Sequence, residues 1–474
     1  MDPVLKSRNS LKSTKQQIYV DASPDTVSFM EWVKSFLEDL WHEDGASNPL
    51  MGLVQGPMMS SLFGGQCREV LKDQKLIEKL KGENFDLGIA EPFNLCGYAV
   101  FEAIKIRAHV AVIASSRLEH VSSAIGQPAA PSYVPATESS SGAHMSFWQR
   151  LNNFIHYICG GFAFAYPGDA MTDIAREYYP NIRSWRETLP EASFLFTNSI
   201  PILEFPSPTL DKIIPIGGIT VKTIKKELNL EEKWDNILGL RKNNVFISFG
   251  SNVKSMDMPK IYKDNLLKVF NSMPDTSFIW KYENEKDNFT SSLDNVYLGE
   301  WLPQNELLAD PRLTLFITHG GLGSVTEVSY MGKPCIVIPM FADQARNAQM
   351  LKRHGGAEIL DKTDLQDFDI VRKALNEVIS DKKYRENAER LAEMLNNQPN
   401  NPRDTLVKYV EFAARFGKLP TLDPIGRSQS FVVYYLFDVI TFIVLSTILM
   451  LYIVIKVSWL LINFCRRARK LKSQ

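Results

Sequence analysis

Residues 301–344, WLPQNELLADPRLTLFITHGGLGSVTEVSYMGKPCIVIPMFADQ, decide the fold of this chain. The apolar run at 313–321 predicts a buried strand that enters a glycine turn, and a helical pattern follows over about 324–331. A second apolar strand is predicted at 334–340, with a helix after it at 344–354. Buried strands that alternate with helices are typical of a parallel sheet.

The same alternation continues on both sides of this stretch. Earlier apolar runs predict strands at 85–93, 109–115 and 192–199, and NVFISFGS (244–251) opens a second series. We therefore predict an α/β protein with two domains in tandem, at 1–215 and 216–420, joined by a linker around 206–233.

Segments between these strands carry two kinds of pattern. Composition rich in Gly, Pro and Met predicts a loop at 43–65, and the Ser/Ala/Pro/Gly-rich residues 123–143 predict a long loop that lines a binding site. Amphipathic periodicity predicts separate helices at 67–81, 147–164 and 171–179.

The C-terminal part differs from the rest. Residues 431–455 are apolar apart from Asp438, which suits a transmembrane helix at 431–456 better than the alternative of a buried core helix. The tail at 457–474 is rich in Lys and Arg, which favours a cytosolic tail and a lumenal body. Lys470 and Lys472 are similar to a dilysine retrieval signal of the endoplasmic reticulum, or belong simply to the basic flank.

Composition excludes several classes of protein. The 474 residues carry a net charge of −1, so no basic field favours nucleic acid. The five cysteines form no C-x-x-C pair, which argues against a structural zinc site, and their wide spacing argues against a disulfide scaffold.

The glycine turn after the strand has the features of a phosphate site. Gly321 leaves room for a ligand beside the backbone, and the helix that follows presents unpaired N–H groups and a positive dipole end. His319 can donate to a diphosphate, and Glu327 can accept from ribose hydroxyls. Trp301 can stack on a flat base, while Gln304 can bond the base edge or the ribose.

Each of these residues also has a structural interpretation. Ser324 and Glu327 fit a helix capping box, and Asp343 fits a helix cap. Trp301 fits a core position, and His319 fits a sheet edge. The joint spacing favours the ligand site, in which Asp343 and the next residue lie near sugar hydroxyls.

W-x-x-Q, H-G-G, Glu eight residues after the His and P-x-x-x-D-Q together resemble the UDP-glycosyltransferases of the glucuronosyltransferase type, over essentially the whole chain. The resemblance implies a GT-B fold: two Rossmann-like domains facing across a cleft, a last helix that returns to the first domain, and one C-terminal transmembrane helix. It implies a UDP-sugar site formed by Ser251, Trp301, Gln304, His319, Gly321, Ser324, Glu327, Asp343 and Gln344. Gly323 stands where mammalian members often carry Asn.

The resemblance also implies how the acceptor hydroxyl is activated. A histidine after the first strand of the family's N-terminal domain removes the proton, and an acidic residue, here Glu91, orients that histidine. Glu91 has the alternative interpretation of capping a turn before Pro92. No matching histidine precedes residue 20, and neither His42 nor His109 fits the role, although His109 is a candidate pocket residue. We therefore expect an N-terminally truncated member without its signal peptide and first strand.

The implied function is inverting transfer of glucuronate or another hexose from a UDP-sugar to a hydroxyl of a small lipophilic acceptor. The alternative is a catalytically impaired, donor-binding partner of full-length relatives. A soluble dehydrogenase is disfavoured because the glycine turn lacks a third glycine. No metal or cofactor is expected beyond the UDP-sugar co-substrate. Membrane lipid is an expected partner, self-association is left open, and Asn288 is a glycosylation candidate if the body is lumenal.

Overall fold

The structure, a computed structural model, describes residues 14, 16–42, 48–221, 230–284 and 286–472. Side chains are described throughout these ranges except at 288 and 468–472. The chain divides into two compact units, Met1–Leu422 and Asp423–Gln474. Residues 1–13, and residues 222–229 in the charged part of the predicted linker, lie outside the described residues.

The first sheet contains, among the described residues, four parallel strands in chain order. They are β1 (Gly88–Ala90), β2 (His109–Ile113), β3 (Leu195–Thr197) and β4 (Ile213–Pro215). Gly88 pairs with His109 and Ala111 with Leu195, so all carboxyl ends meet at one edge. The predicted parallel sheet is therefore present, with strands shorter than their apolar runs.

The second sheet, within the same described part of the first unit, contains six parallel strands in the order β10-β9-β8-β5-β6-β7. They are β5 (Asn243–Ser248), β6 (Thr276–Lys281), β7 (Val296–Gly299), β8 (Leu315–Thr318), β9 (Cys335–Val337) and β10 (Ala357–Ile359). Strand β5 lies at the centre, where Phe246 stacks on Phe316 of β8 with ring centroids 4.9 Å apart. The order changes direction at β5 and β8, a topological switch point at which α/β sheets bind ligands.

Helices cover both sheets. Those before or between the strands of the first sheet are α1 (Pro24–Asp39), α2 (Met51–Lys72), α3 (Gln74–Gly82), α4 (Cys96–Ile104), α5 (Glu119–Ile125), α6 (Phe147–Tyr178) and α7 (Trp185–Thr188). Those of the second series are α8 (Glu232–Leu240), α9 (Lys260–Asn271), α10 (Gln304–Ala309), α11 (Leu322–Met331), α12 (Gln344–Arg353), α13 (Phe368–Ser380), α14 (Lys382–Asn396) and α15 (Pro402–Phe416). Short 3-10 turns lie at Leu189–Glu191, Ser255–Asp257, Asn288–Thr290, Lys362–Gln366, Pro420–Leu422 and Ile425–Ser428.

The prediction of a loop at 43–65 is wrong for most of the described residues in this range, because helix α2 begins at Met51. The glycines of α2 explain the difference. A Cβ atom on Gly52 would lie 2.7 Å from the carbonyl oxygen of Cys159, and one on Gly56 would lie 3.4 Å from Ala163. The glycines therefore let α2 pack closely against α6, and this contact outweighs their low helix propensity.

Two further predictions about the helices need correction. The helix predicted at 67–81 is two helices, α2 and α3, which meet at Asp73; the Asp73 side chain accepts from the N–H of Leu76 and so begins a new helix. The separate helices predicted around 147–179 are one helix, α6, which continues through Pro167.

A disulfide joins Cys67 on α2 to Cys96 at the start of α4. Cys67 is buried beside Leu71 and Leu95 in the core of the first half of the fold, the part built around strands β1 to β4; the second half is built around β5 to β10. The cysteine spacing did not predict this bond, because the residues are 29 positions apart and only the packing of the two helices brings them together.

Helix α15 packs against the first sheet although it follows the second in sequence. Ala413 is fully buried with Val110 and Phe196. Tyr409 meets Phe194 edge to face with ring centroids 4.7 Å apart. The resemblance implied a last helix that returns to the first domain, and the structure contains it.

The second unit consists mainly of α16 (Phe431–Tyr434) and α17 (Phe437–Lys472). Leu436, with φ +57°, separates them, so the long helix begins six residues after the predicted start at 431. Within α17, the stretch Phe437–Arg467 contains an 18-residue window with a mean hydropathy of 2.5, and by length and composition it could cross a membrane.

Candidate functional site

The glycine turn after β8 has the geometry that the sequence predicted. Gly320 has φ +85°, and a Cβ atom there would lie 2.8 Å from the Cγ1 atom of Val337. Gly321 is the N-cap of α11, and no side chain bonds the first N–H groups of this helix. The turn thus presents free backbone donors at the carboxyl edge of the second sheet, which suits a phosphate.

His319 stands beside this turn, against the loop that follows β5. A Cβ atom on Gly250 would lie 2.7 Å from the imidazole Cε1 atom, so only glycine lets this loop pass the ring. Ser251 follows Gly250 and is exposed. The structure therefore brings two candidate donor residues, Ser251 and His319, to one point at the ends of β5 and β8.

The His319 imidazole is neutral at pH 7. Burial, and then the nearby charge of Lys281, lowers its pKa to about 4. Its Nδ1 atom is buried and has no hydrogen-bond partner among the described residues. A neutral ring at pH 7 carries one N–H donor and can offer it to an anion without first losing a proton.

Trp301, Gln304 and the first turns of α11 form a second group at the same edge. The Trp301 side chain is 79% exposed, which excludes the interpretation that it belongs to the core. Gln304 Nε2 lies 3.1 Å from the hydroxyl of Ser324 and also donates to the carboxylate of Glu327. The four candidate residues thus lie at one end of α10 and α11.

The capping-box interpretation of Ser324 and Glu327 is wrong. The helix begins at Leu322 with Gly321 as its N-cap, so Ser324 lies inside the first turn. Burial raises the pKa of Glu327, although hydrogen bonds from Gln304 and Asn305 oppose this. The carboxylate is held by amides and remains half-buried, as expected for a group that accepts from ribose hydroxyls.

Asp343 and Gln344 lie at the start of α12. Asp343 is the N-cap residue but its side chain makes no capping bond, so the simple cap interpretation is not supported. Gln344 is buried, and its Oε1 atom accepts from the N–H groups of Met340 and Phe341. Gln344 therefore shapes the loop after β9, in which Ala342 has the unusual φ of +55°.

Two residues on α12 were missed by sequence reasoning. Asn347 donates to the carbonyl oxygen of Gly320 at 3.0 Å and so ties α12 to the glycine turn. Arg346 is 2% exposed and makes two hydrogen bonds to Glu204 in the first half, at 2.6 and 3.2 Å. The one feature of the sequence that could have identified Arg346 and Asn347 is their position about one helical turn after Asp343.

Glu91 lies at the corresponding edge of the first sheet, directly after β1. Its Oε1 atom accepts from the N–H of Ala114 at 3.0 Å, so the carboxylate links the ends of β1 and β2. Among the described residues, no histidine hydrogen-bonds to Glu91. This bond joins the ends of two strands and is not the cap of a turn before Pro92, and the catalytic role of Glu91 stays a prediction.

Three of the described histidines, His42, His109 and His120, make no hydrogen bond to the Glu91 carboxylate. His109 begins β2 and pairs with Gly88, so it is at the opposite end of the sheet from Glu91, and its prediction as a pocket residue is wrong. His42 is exposed in the turn after α1. The Nε2–H of His120 donates to the carbonyl oxygen of Pro92 at 3.0 Å.

The loop predicted at 123–143 begins after α5 ends at Ile125, and it contacts the second half. Pro135 accepts from the Nε of Arg346 at 3.2 Å. Thr137 donates to Glu119 through both its N–H and its hydroxyl. Burial, and then the nearby charges of Glu119 and Asp343, raises the pKa of Glu138 to about 7. Three carboxyl groups from different elements therefore come close together.

The raised pKa of Glu138 predicts that the stability of the folded chain depends on pH. Its folded pKa of about 7 exceeds the ordinary value of 4.5, so the folded chain binds more protons between these values and stability falls as the pH rises through them. Glu138→Gln should raise the free energy of unfolding at pH 8 by at most about 3 kcal/mol, at about 1.4 kcal/mol per unit. Thermal unfolding of the detergent-solubilised chain checks this. A gain of equal size at pH 4.5, or an equal gain in the exposed variant Glu78→Gln, would contradict it.

The comparisons with known proteins extend over nearly the whole chain. The family model described as "UDP-glucoronosyl and UDP-glucosyl transferase" matches residues 4–472. UDP-glucuronosyltransferase 1A7 from Rattus norvegicus is 30% identical over 433 residues, which cover 89% of this chain and 78% of the relative. UDP-glucuronosyltransferase 2C1 from Oryctolagus cuniculus is 29% identical over 426 residues, covering 88% and 82%.

Solved structures resemble the fold. The glycotransferase of kitacinnamycin matches with a TM-score of 0.53 and 16% identity, over 74% of this chain and 82% of its own. Os79 from O. sativa in complex with UDP matches with a TM-score of 0.53 and 15% identity, over 76% and 84%. The two parallel sheets with their helices are thus the two Rossmann-like halves of a GT-B fold.

Proposed function

Because this chain belongs to the UDP-glucoronosyl and UDP-glucosyl transferase family, we propose that it moves glucuronate or another hexose from a UDP-sugar to a hydroxyl of a small lipophilic acceptor. The anomeric carbon is inverted, because the acceptor oxygen attacks in line from the side opposite UDP. The chain is a glycosyltransferase by family; the donor sugar, the acceptor class and the stereochemistry are the parts that we propose.

One observation carries this proposal. The glycine turns at Gly250 and Gly320 meet at His319, beside the uncapped N-terminus of α11. Backbone N–H groups and a neutral imidazole there are suited to stabilise the negative charge that develops on the UDP phosphates as the sugar bond breaks. The transfer is proposed to need no metal, as the resemblance implies.

The other end of UDP is proposed to lie against the second group of residues. The exposed face of Trp301 stacks on the uracil ring, and Glu327 accepts from the ribose hydroxyls while Gln304 holds its carboxylate in place. Asp343, half-buried with a pKa that burial raises, lies where hydroxyls of the sugar would be bound.

Trp301→Ala should weaken UDP binding about 5- to 150-fold, which corresponds to about 1–3 kcal/mol for one base stacked on an aromatic ring. Because the side chain is 79% exposed, its removal should leave thermal stability unchanged. Calorimetric titration with UDP measures the effect. Trp148→Ala is the matched control, since Trp148 is 73% exposed on α6. Equal affinities for the two variants would exclude a base-stacking role.

A second candidate function is a donor-binding partner that does not catalyse transfer alone. The observation that favours it is that none of the described histidines bonds to Glu91, the residue expected to orient the base. Such a chain would bind UDP-sugar and act by association with active relatives.

A transfer assay separates the two functions. The full chain in microsomes is given UDP-glucuronate or UDP-glucose with a panel of phenols, with and without EDTA, and the anomeric configuration of the product is read by NMR. Inverted product that persists in EDTA supports the first function. UDP binding without transfer, together with a changed rate when an active relative is co-expressed, supports the second. A chain that does neither contradicts both.

We also propose a single-pass anchor in the endoplasmic reticulum membrane, with the body lumenal and the tail cytosolic. The apolar helix Phe437–Arg467 and the Cys67–Cys96 disulfide, a bond that persists in oxidising compartments, support this. Protease treatment of sealed microsomes should remove only the tail. Glycosidase treatment should shift the wild-type band but not that of Asn288→Gln; the side chain of Asn288 is outside the described part of the structure.

A further inference from the structure

Helix α1 extends from the first half of the fold to the second. At its beginning, the N–H of Ser23 donates to Gln66 Oε1 on α2 at 3.1 Å, and Gln66 Nε2 donates to the carbonyl of Asp21 at 3.1 Å. A Cβ atom on Gly65 would lie 2.8 Å from the Asp25 carboxylate. These contacts fix the start of α1 on the first half.

The two residues that follow α1, Leu40 and Trp41, are buried in the second half. The carbonyl of Leu40 accepts from the ammonium group of Lys362 at 2.6 Å. Trp41 is 1% exposed, its Nε1–H donates to the carbonyl of Lys254 at 2.8 Å, and its ring meets Phe249 edge to face at 4.9 Å. Trp41 is therefore a core residue of the half that follows it by some two hundred positions.

The two contacts of Trp41 bracket one loop, residues 249–254, which connects β5 to the rest of the second half. Phe249 begins this loop, and Lys254 ends it directly before the 3-10 turn Ser255–Asp257. Gly250, within it, passes against the His319 ring, and Ser251 is the residue expected at the phosphates. Trp41 thus holds both ends of the segment that forms one wall of the candidate donor site.

We propose that Trp41 is a positioning residue for the UDP-sugar: it holds loop 249–254 in the shape that places Ser251 beside His319. This inference rests on the proposed function of the same site. It adds that a residue of the acceptor half determines the geometry of the phosphate wall, although Trp41 itself lies beneath the loop and touches no donor atom. Donor affinity should therefore respond to a change made in α1.

The test compares UDP binding by full-length, detergent-solubilised variants in calorimetric titrations. Trp41→Phe keeps a buried ring but removes the indole N–H, and it should weaken UDP binding about 3- to 10-fold, the effect of one lost hydrogen bond. The matched control is Trp32→Phe, on the helix that precedes Trp41 but 42% exposed, which should bind as the wild type does. Lys362→Met, which releases the carbonyl of Leu40, should weaken binding in the same direction even if Trp41→Phe does not fold.

A double-mutant cycle distinguishes positioning from a general loss of structure. If Trp41 acts through the loop, Trp41→Phe should add less than twofold to the effect of Ser251→Ala. UDP affinity within twofold of wild type in both Trp41→Phe and Lys362→Met would overturn the inference while leaving the proposed function intact. Full additivity in the cycle would also overturn it. A wild-type chain that does not bind UDP would refute the proposed function and this inference together.

Discussion

His319→Ala should reduce sugar transfer about 100- to 1000-fold, the range observed when one preorganised donor to a developing oxyanion is removed. The imidazole lies between two glycine turns in a largely desolvated position, where its N–H would act on the phosphate charge without screening by water. Its low pKa, about 4, means that this contribution should be constant from about pH 6 to pH 8.

The measurement is turnover together with UDP affinity, so that a chain without transfer activity is still informative. UDP binding should weaken at least about 10-fold, as expected for a hydrogen bond to a charged group. His354→Ala is the matched control, because His354 is also half-buried but contacts the carbonyl of Leu203. If His319→Ala and His354→Ala bind UDP equally well, the phosphate site is elsewhere.

Arg346→Met should lower the free energy of unfolding by about 3–5 kcal/mol, the cost of removing one partner of a buried ion pair. The side chains of Arg346 and Glu204 are 3% and 14% exposed, so the remaining carboxylate would be buried without its partner. The same guanidinium also donates to Ser116 and to the carbonyl of Pro135, both in the first half. The halves of the fold would therefore lose their main charged contact beside α12.

Chemical denaturation of the solubilised chain measures this loss. The double variant Arg346→Met with Glu204→Leu should recover a large part of the lost stability, since no unpaired charge remains buried. Lys260→Met is the control: it breaks an ion pair with Asp264 in which the lysine is 85% exposed, and it should cost less than about 1 kcal/mol. A loss of that small size for Arg346→Met would contradict the expected cost of leaving the Glu204 carboxylate buried without a partner.

The strand, glycine turn and helix of the candidate donor site could be predicted from sequence because their signals are local. The strand that ends at Thr318, the glycines at 320 and 321 and the helix after them lie within about fifteen residues, and each backbone requirement selects its residue type. Even here the local pattern misled once, since Ser324 and Glu327 fit a capping box that the actual start of α11 excludes.

Contacts between distant segments could not be predicted in this way. Nothing near Trp41 in the sequence indicates that its indole bonds the carbonyl of Lys254. The glycines of α2 indicated a loop in the sequence. In the folded chain they allow the close packing of α2 against α6, which sequence alone does not show. Cys67 and Cys96 pair for the same reason. Such residues act on partners whose identity is set by topology rather than by spacing.

Helix α15 has a consequence for synthesis on the ribosome. The first half is made first, yet Ala413, Leu406 and Val410 complete the packing over Val110 and Phe196. A nascent chain that ends before residue 416 would leave this apolar surface bare, and α1 would likewise await its site in the second half. The catalytic body should therefore mature late and as a whole, and fragments cut between the two sheets should aggregate rather than fold separately.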